Sequence, residues 1–164
     1  MFIELESLFN GGIDSIPVKC EFDFSKEEYS GVFPFTTPVK LTGEIRNTAG
    51  VVTISAVISF SIDIVCDRCA EDAKLSFEVL MEHGLVSELN DEENDDYILV
   101  ENMKLDIAEL TLEDIYLALP AKLLCKEDCK GVCPQCGANL NEGPCSCKKE
   151  IDPRLEALLD LLGD

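Results

Sequence analysis

The chain has 164 residues, and its 13 lysines and arginines face 33 aspartates and glutamates, which gives a formal net charge of −20 at pH 7. The apolar fraction of 46% is high enough to build a buried core, so the charge does not indicate a disordered chain. A field this negative repels phosphate backbones and attracts cationic proteins, which disfavours broad binding of RNA or DNA. The length predicts one domain.

The N-terminal residues predict a cytosolic protein. Glu4 and Glu6 interrupt the first apolar residues and no basic residue precedes them, so the segment is not a signal peptide. No uncharged apolar stretch reaches the length of a membrane span. Because thiols stay reduced in the cytosol, the nine cysteines are expected to be metal ligands rather than disulfides.

The first half of the chain predicts a sheet. Residues 2–9 fit either a strand or a short helix. Apolar and polar side chains then alternate in four segments, which are residues 18–24, 39–46, 52–64 and 75–82. Cys20 falls on an apolar face and is expected to be a small core residue. Cys66 and Cys69 lie between the last two segments, so they are expected in the turn of a β-hairpin.

Helical periodicity replaces this alternation further along. Asp106 and Glu109 have the spacing of a capping box, and apolar residues recur at helical intervals until Pro120. This helix is expected to pack on the apolar face of the sheet. A second helix is predicted at the C-terminus, with Asp152 as its N-cap.

These elements predict an α+β fold. We expect a curved antiparallel sheet or partial β-barrel of about six strands with one covering helix, a Cys-rich zinc-binding segment and a short C-terminal helix. Residues 1–120 would form the β-rich core with its helix. Residues 121–164 would form the Cys-rich segment and terminal helix, packed with the core as one domain.

A stretch near the C-terminus has the spacing of a zinc ribbon or knuckle. Cys133-Pro-Gln-Cys136-Gly is followed by Cys145-Ser-Cys147, and Gly137 permits the tight turn after the second sulfur. Four thiolates satisfy Zn²⁺ and close its coordination, so we expect a structural site.

A second zinc site is predicted from the remaining pairs. The natural partners of Cys125 and Cys129 are Cys66 and Cys69, which requires the hairpin turn to meet the end of the helix. This site would fasten the sheet to the C-terminal segment. A different division of ligands within residues 125–147 and iron–sulfur ligation both stay open. A redox dithiol fits less well, because such a motif opens a helix rather than joining two strands.

The sequence contains no recognisable catalytic constellation. His83 is the only histidine and is expected at the surface. Without a second imidazole or a paired serine no triad can form, and no glycine-rich loop is suited to phosphates. Closed Cys₄ sites leave no position for a reactive water. We therefore expect a non-enzymatic protein.

Charge is concentrated in an acidic run at residues 88–96, which predicts a solvated loop and suggests contact with a basic partner. A local basic face is the alternative and would suit direct contact with RNA. The residues that would form it are Arg46, Arg68, Lys122, Lys126, Lys130, Lys148 and Lys149, and the last four of these lie in the Cys-rich segment.

Several stretches resemble the bacterial YceD family in its cysteine-rich, Gram-positive form. They are the hairpin turn at residues 66–69, the helix end Leu119-Pro120, the motif over residues 128–141 and Asp152-Pro-Arg-Leu155. The resemblance covers nearly the whole chain, and residues 128–141 are its most specific part. The family is associated with accumulation of large-subunit (23S) ribosomal RNA. Its gene commonly neighbours that of a small, basic large-subunit ribosomal protein.

The resemblance implies a non-enzymatic cytoplasmic factor that supports 23S rRNA accumulation and assembly of the large ribosomal subunit. Together with the net charge of −20, it suggests that the acidic body binds a basic ribosomal protein or a pre-ribosomal particle. A metal- or redox-responsive regulator is the alternative. It would be distinguished by metal loss or thiol oxidation under mild conditions.

Overall fold

The structure, a computed structural model, describes residues 1–29, 31–88 and 97–147. The acidic run from residue 89 onward, Lys148, Lys149 and the predicted terminal helix lie outside the described residues. None of the helices in the described ranges has the length and apolar composition to cross a membrane.

The helices and strands follow the predicted order. The first half contains β1 (Phe2–Glu4), α1 (Glu6–Phe9), β2 (Ser15–Phe22), β3 (Val39–Thr48), β4 (Val51–Val65) and β5 (Asp72–Val86). The second half contains β6 (Tyr97–Leu99), a short 3₁₀ turn (Glu101–Met103), β7 (Lys104–Asp106) and α2 (Ile107–Ala118). Residues 2–9 therefore form both of the structures considered for them, a strand followed by a short helix.

The described sheet has five strands in the order β2-β3-β4-β5-β6. The four long strands pair antiparallel with their neighbours in sequence, as the alternating pattern predicts. β6 instead pairs parallel to the end of β5, which makes the sheet mixed rather than wholly antiparallel. β1 and β7 form a separate antiparallel pair. The predicted α+β class is confirmed, with this difference at one edge.

The core lies on one face of the sheet. On β4, every second residue is buried: Val52, Ile54, Ala56, Ile58, Phe60, Ile62 and Ile64. Each large apolar side chain buried in this way contributes about 1.5–3 kcal/mol. Cys20 is half-buried and packs against this core, as predicted. A Cβ atom at Gly43 would meet the backbone of Ser55, so glycine permits the close approach of β3 and β4 there.

Helix α2 covers part of this core and begins at the predicted cap. The Asp106 carboxylate accepts hydrogen bonds from the N–H groups of Ala108 and Glu109, at 3.1 and 3.4 Å. Residues on one side of the helix are buried in the core, among them Ile107 and Ile115. The helix ends at Ala118, shortly before the proline that was expected to stop it.

His83 does not occupy the surface position expected for it. Its side chain is 27% exposed and lies between β5 and α2, where Nε2 is 2.9 Å from both carboxylate oxygens of Asp114. Asp114 is buried, and a buried carboxylate requires such a partner. The histidine therefore fastens the helix to the sheet. The alternation of residues in β5 alone does not reveal this contact.

Candidate metal centres

The tip of the β4–β5 hairpin presents two sulfurs to the rest of the chain. β4 ends at Val65 and β5 begins at Asp72, so Cys66 and Cys69 lie in the connecting turn, where both are buried. The N–H of Ala70 donates to the carbonyl of Cys66 at 2.9 Å, and Ala70 adopts a left-handed backbone with φ of 57°. This tight turn holds both sulfurs on one side of the tip.

The two residues between these cysteines fasten the tip to the segment that follows α2. The Asp67 carboxylate accepts from the N–H of Leu123 at 2.6 Å, and the Asp67 N–H donates to the Leu123 carbonyl at 2.9 Å. The Arg68 guanidinium donates to the carbonyl of Cys129 at 2.9 Å. These bonds place the second cysteine pair against the hairpin.

The first cluster, called site 1, has four sulfurs that all lie within 4.8 Å of one another. They belong to Cys66, Cys69, Cys125 and Cys129. The Sγ atoms of Cys66 and Cys129 are 3.8 Å apart, and those of Cys69 and Cys125 are 3.6 Å apart. A tetrahedral ion with sulfur at about 2.3 Å places its ligands about 3.8 Å from each other. A disulfide requires about 2.05 Å. The spacing therefore fits one tetrahedral ion.

The electrostatics of site 1 also favour a cation. Burial opposes ionisation of Cys66, but backbone N–H groups of Cys125, Cys69 and Arg68 donate to its sulfur and lower its pKa to about 6. Burial and the neighbouring thiols raise the pKa of Cys125 to about 12. Four thiolates this close repel one another, and a dication would displace the remaining protons and offset the charge.

The second cluster, called site 2, forms within one short segment. Its four sulfurs, again all within 4.8 Å of one another, belong to Cys133, Cys136, Cys145 and Cys147. The Gly137 N–H donates to the Cys133 carbonyl at 2.8 Å, and Gly137 has a φ of 72°. This is the tight turn expected from the motif. Cys133 is buried, whereas Cys136 is exposed and the other two cysteines are half-buried.

Site 2 shows the same division between a favoured thiolate and a retained proton. Backbone N–H groups of Cys136 and Gln135, with the thiol of Cys145, lower the pKa of Cys133 to about 6. The adjacent Cys136 sulfur and burial raise the pKa of Cys147 to about 12. Both clusters are thus suited to binding a thiophilic cation with release of protons.

A turn at residues 139–141 connects the two clusters. The side-chain amide of Asn141 donates to the sulfur of Cys129 at 3.3 Å, and its oxygen accepts from the N–H of Lys130 at 2.9 Å. The Asn139 amide donates to Glu71 on the hairpin at 3.4 Å. Hydrogen bonds to a ligating sulfur orient it and tune its charge. The segment that forms site 2 therefore also supplies a donor to site 1.

The structure brings together the same two sets of four cysteines that the sequence suggested, while metal binding itself stays a prediction. Cys20 lies apart from both sets. Sequence analysis did not predict that Asp67, Arg68 and Asn141 position the cysteines. The only available indication was their location between or shortly after cysteines.

Comparison with known proteins adds the family. Residues 54–162, more than half of the chain, match the family described as "Large ribosomal RNA subunit accumulation protein YceD". The matched range contains both cysteine clusters. The chain belongs to the YceD family. The description of the family refers to accumulation of large-subunit ribosomal RNA.

Relatives occur in bacteria and plants. The uncharacterized protein YlbN of Bacillus subtilis is 31% identical over 129 residues, which cover 77% of this chain and 75% of that protein. An uncharacterized protein of Mycobacterium tuberculosis is 35% identical over 71 residues, which cover 43% of this chain and 34% of that protein. The Arabidopsis thaliana protein "Large ribosomal RNA subunit accumulation protein YCED homolog 1, chloroplastic" is 25% identical, over 72% of this chain and 46% of that protein. The chain therefore spans only part of the mycobacterial and plant relatives. No solved structure matches the chain.

Proposed function

We propose that this YceD-family chain supports 23S rRNA accumulation and large-subunit assembly as a non-enzymatic factor that binds a basic ribosomal protein. The observation that carries the proposal is a net charge of −20 in a member of a family named for ribosomal RNA accumulation. A body of this charge attracts cationic chains and repels the polyanionic RNA. Among large-subunit components, the basic proteins are the ones whose charge complements it.

Exposed carboxylates on the sheet face that points away from the core support this partner class. Glu78 and Glu82 lie on this face of β5, are exposed and form no ion pair within the described residues, whereas Glu21 on β2 and Glu44 on β3 pair with Lys40 and Arg46. A basic ribosomal protein bound to such a surface would be shielded from non-specific RNA until it is delivered to the assembling subunit. A cytoplasmic location suits this role and metal ligation by reduced thiols.

We propose that both clusters bind zinc as a structural ion. Closest sulfur separations of 3.6 and 3.8 Å in site 1, and all-thiol donor sets in both sites, support zinc. A zinc ion bound by four thiolates supplies a cross-link and has no open position for substrate. Site 1 then fastens the segment that follows α2 to the β4–β5 hairpin. Site 2 cross-links residues 133–147 to one another.

Binding measurements test the proposed function. The zinc-loaded chain would be titrated calorimetrically with purified basic large-subunit proteins at low and at moderate salt. We expect affinity in the micromolar range or tighter, weakening as salt rises because the contact is electrostatic. An unrelated protein of similar net charge is the control and should bind more weakly. Absence of binding, or binding that does not respond to salt, would remove the proposal.

A metal- or redox-responsive regulator is a second candidate, supported by the exposure of Cys136 in site 2. An accessible thiolate ligand is open to oxidants and chelators. If the clusters regulate the protein, mild peroxide or a chelator should release one ion and change ribosomal protein binding. If the clusters are purely structural, ribosomal protein binding should persist under the same treatment.

A further inference from the structure

Among the described residues, one edge of the sheet is unpaired over most of its length. β5 pairs with β4 along nearly all of its 15 residues, but with β6 only at Gly84, Leu85 and Val86. Within the described residues no other strand pairs with β5. Residues 74–82 of β5 therefore form an unpaired edge, on the same side of β5 on which β6 pairs with residues 84–86.

Even-numbered residues of β5 direct their backbone groups at this edge. The N–H of Asp63, which faces Lys74 in register, donates away from β5 to the carbonyl of Pro34 at 3.0 Å. Bonded and non-bonded pairs alternate in an antiparallel ladder, so every second residue from Lys74 onward turns its N–H and C=O outward. The Val86 carbonyl, which accepts from the Val100 N–H at 2.8 Å, fits this alternation. The outward residues are Lys74, Ser76, Glu78, Leu80 and Glu82.

Side chains beside this edge differ between the two faces. On the core face, three apolar residues are only half-buried: Leu75, Phe77 and Val79. On the opposite face, Glu78 and Glu82 are exposed and Leu80 is 64% exposed. A strand added here would cover the first row with apolar side chains and would place basic side chains opposite the glutamates.

The other edge of the sheet is protected in a way that this one is not. β2 contains Pro17, which has no N–H to offer. A proline on an edge strand discourages pairing with another chain. Residues 74–82 contain no proline. The sequence therefore blocks one edge and leaves the other able to accept a strand.

A shallow cavity of about 330 Å³ adjoins the open edge, between β5 and α2. Its lining includes Val79, Leu80 and Leu117, and the Leu117 side chain is 85% exposed. Glu82 lies at the same cavity. The cavity offers an apolar contact for one side chain of an added strand, next to a carboxylate.

We propose that the open edge of β5 binds an extended segment of a basic protein by strand addition. The segment alternates apolar side chains, which cover the half-buried row, with Lys or Arg side chains, which face Glu78 and Glu82. The partner class rests on the proposed function. A second copy of the chain is disfavoured, because both copies carry −20 and an antiparallel pair centred on Glu78 places that carboxylate opposite itself.

Hydrogen exchange on the zinc-loaded full chain tests the edge directly. The probe is a peptide of about ten residues that alternates lysine and valine, and its control has the same composition in two blocks. In the free chain, the outward amides of Ser76, Glu78 and Leu80 should exchange faster than those of Phe77 and Val79. The alternating peptide should slow the outward amides at least tenfold, whereas the blocked peptide should not. Outward amides that are already protected in the free chain would overturn the proposal.

Charge variants test the role of the glutamates. Glu78→Lys with Glu82→Lys alters the edge, whereas Glu21→Lys with Glu44→Lys alters the same face away from it. Each pair changes the net charge from −20 to −16. The edge pair should weaken peptide binding about tenfold, and the control pair by less than about threefold. Equal losses would mean that net charge alone attracts the peptide, which contradicts the proposal.

A proline variant tests the backbone. Leu80→Pro removes an outward N–H while leaving the hydrogen bonds between β4 and β5 intact, so it should abolish peptide binding in a chain that still melts cooperatively. If it fails to fold, the charge variants still decide.

The ribosomal protein titration separates this inference from the proposed function. If the wild-type chain and the edge variants bind ribosomal protein equally, strand addition at β5 is contradicted and the proposed function stands. If the peptide binds at the edge but no ribosomal protein binds, the proposed function is contradicted and strand addition with another basic partner stands.

Discussion

The two cysteine clusters have the same donor set but differ in how they close the chain. Site 1 joins sulfurs 63 and 56 residues apart in its two close pairs, and three of its four cysteines are buried. Site 2 takes all four sulfurs from residues 133–147, and one of the four is buried. A cross-link over a long loop restricts the unfolded chain more than a short one. Site 1 should therefore govern the stability of the whole fold, and site 2 the order of one segment.

The largest effect should follow from removing a ligand of site 1. Cys66→Ser leaves three sulfurs at the buried hairpin tip and should lower the free energy of unfolding by about 3 kcal/mol or more, because metal binding there is coupled to folding. Urea denaturation with metal analysis measures this. Cys20→Ser, at a half-buried cysteine outside both clusters, is the control and should cost about 1 kcal/mol. Equal denaturation midpoints for the two variants would contradict the comparison.

A ligand of site 2 should matter locally. Cys136→Ser should lose one ion per chain and speed hydrogen exchange in residues 133–147, while the β4–β5 amides keep their protection. The free energy of unfolding should fall by about 1 kcal/mol, since little of the core depends on this turn. Ser146→Ala, between two ligands, should change neither quantity. Faster exchange throughout the hairpin would show that both sites govern the whole fold.

Acidification should release the two ions in order. Cys66 and Cys133, with pKa values of about 6, are thiolates at pH 7, whereas Cys125 and Cys147, with pKa values of about 12, must lose protons to bind metal. Falling pH therefore favours the metal-free chain. Site 2 is more exposed, so we expect it to lose its ion at a pH about one unit higher than site 1. Metal release is followed with a chromogenic chelator. Cys136→Ser should lack the release step at the higher pH, which belongs to site 2.

The pKa shifts in the metal-free chain give the sign of the remaining pH dependence. The pKa of Cys66 is lowered from 9.0, so its contribution to stability is present above pH 9 and is lost as pH falls through about 6. The pKa of Cys125 is raised, so its contribution is present below pH 9 and is lost only as pH rises through about 12. The metal-free fold should therefore also weaken between pH 9 and 6.

Sequence patterns predicted the parts of this molecule that depend on neighbouring residues. Alternation marked β4 and β5 because every second residue must enter the core, and it placed Cys66 and Cys69 in the turn between them. The spacing of cysteines suggested the ligands of site 2 directly, and those of site 1 followed from pairing the cysteines that remained. The Asp106 cap was recognisable for the same reason.

Features that depend on how distant segments meet were not predictable. The bonds of Asp67 to Leu123 require the segment after α2 to lie along the hairpin tip, which no local pattern specifies. The contact of His83 with Asp114 depends on the register of α2 over β5. β6 has three residues, too few for a period to reveal that it joins the sheet parallel. The bonds of Asp67 determine where the two cysteine pairs of site 1 meet, whereas the sequence shows only which cysteines are available.

The smallest expected effect tests whether the two clusters are independent. Asn141→Ala removes the donor to the Cys129 sulfur and the acceptor for the Lys130 N–H, although Asn141 belongs to the site 2 segment. Loss of such a hydrogen bond should weaken metal binding at site 1 about tenfold and cost about 1 kcal/mol of stability. Competition between the protein and a chelator for cobalt, followed by its thiolate absorption, measures both sites. Gln135→Ala, an exposed residue between two site 2 ligands, should leave both affinities unchanged. Weaker binding at site 2 alone would show that the turn at residues 139–141 does not couple the clusters.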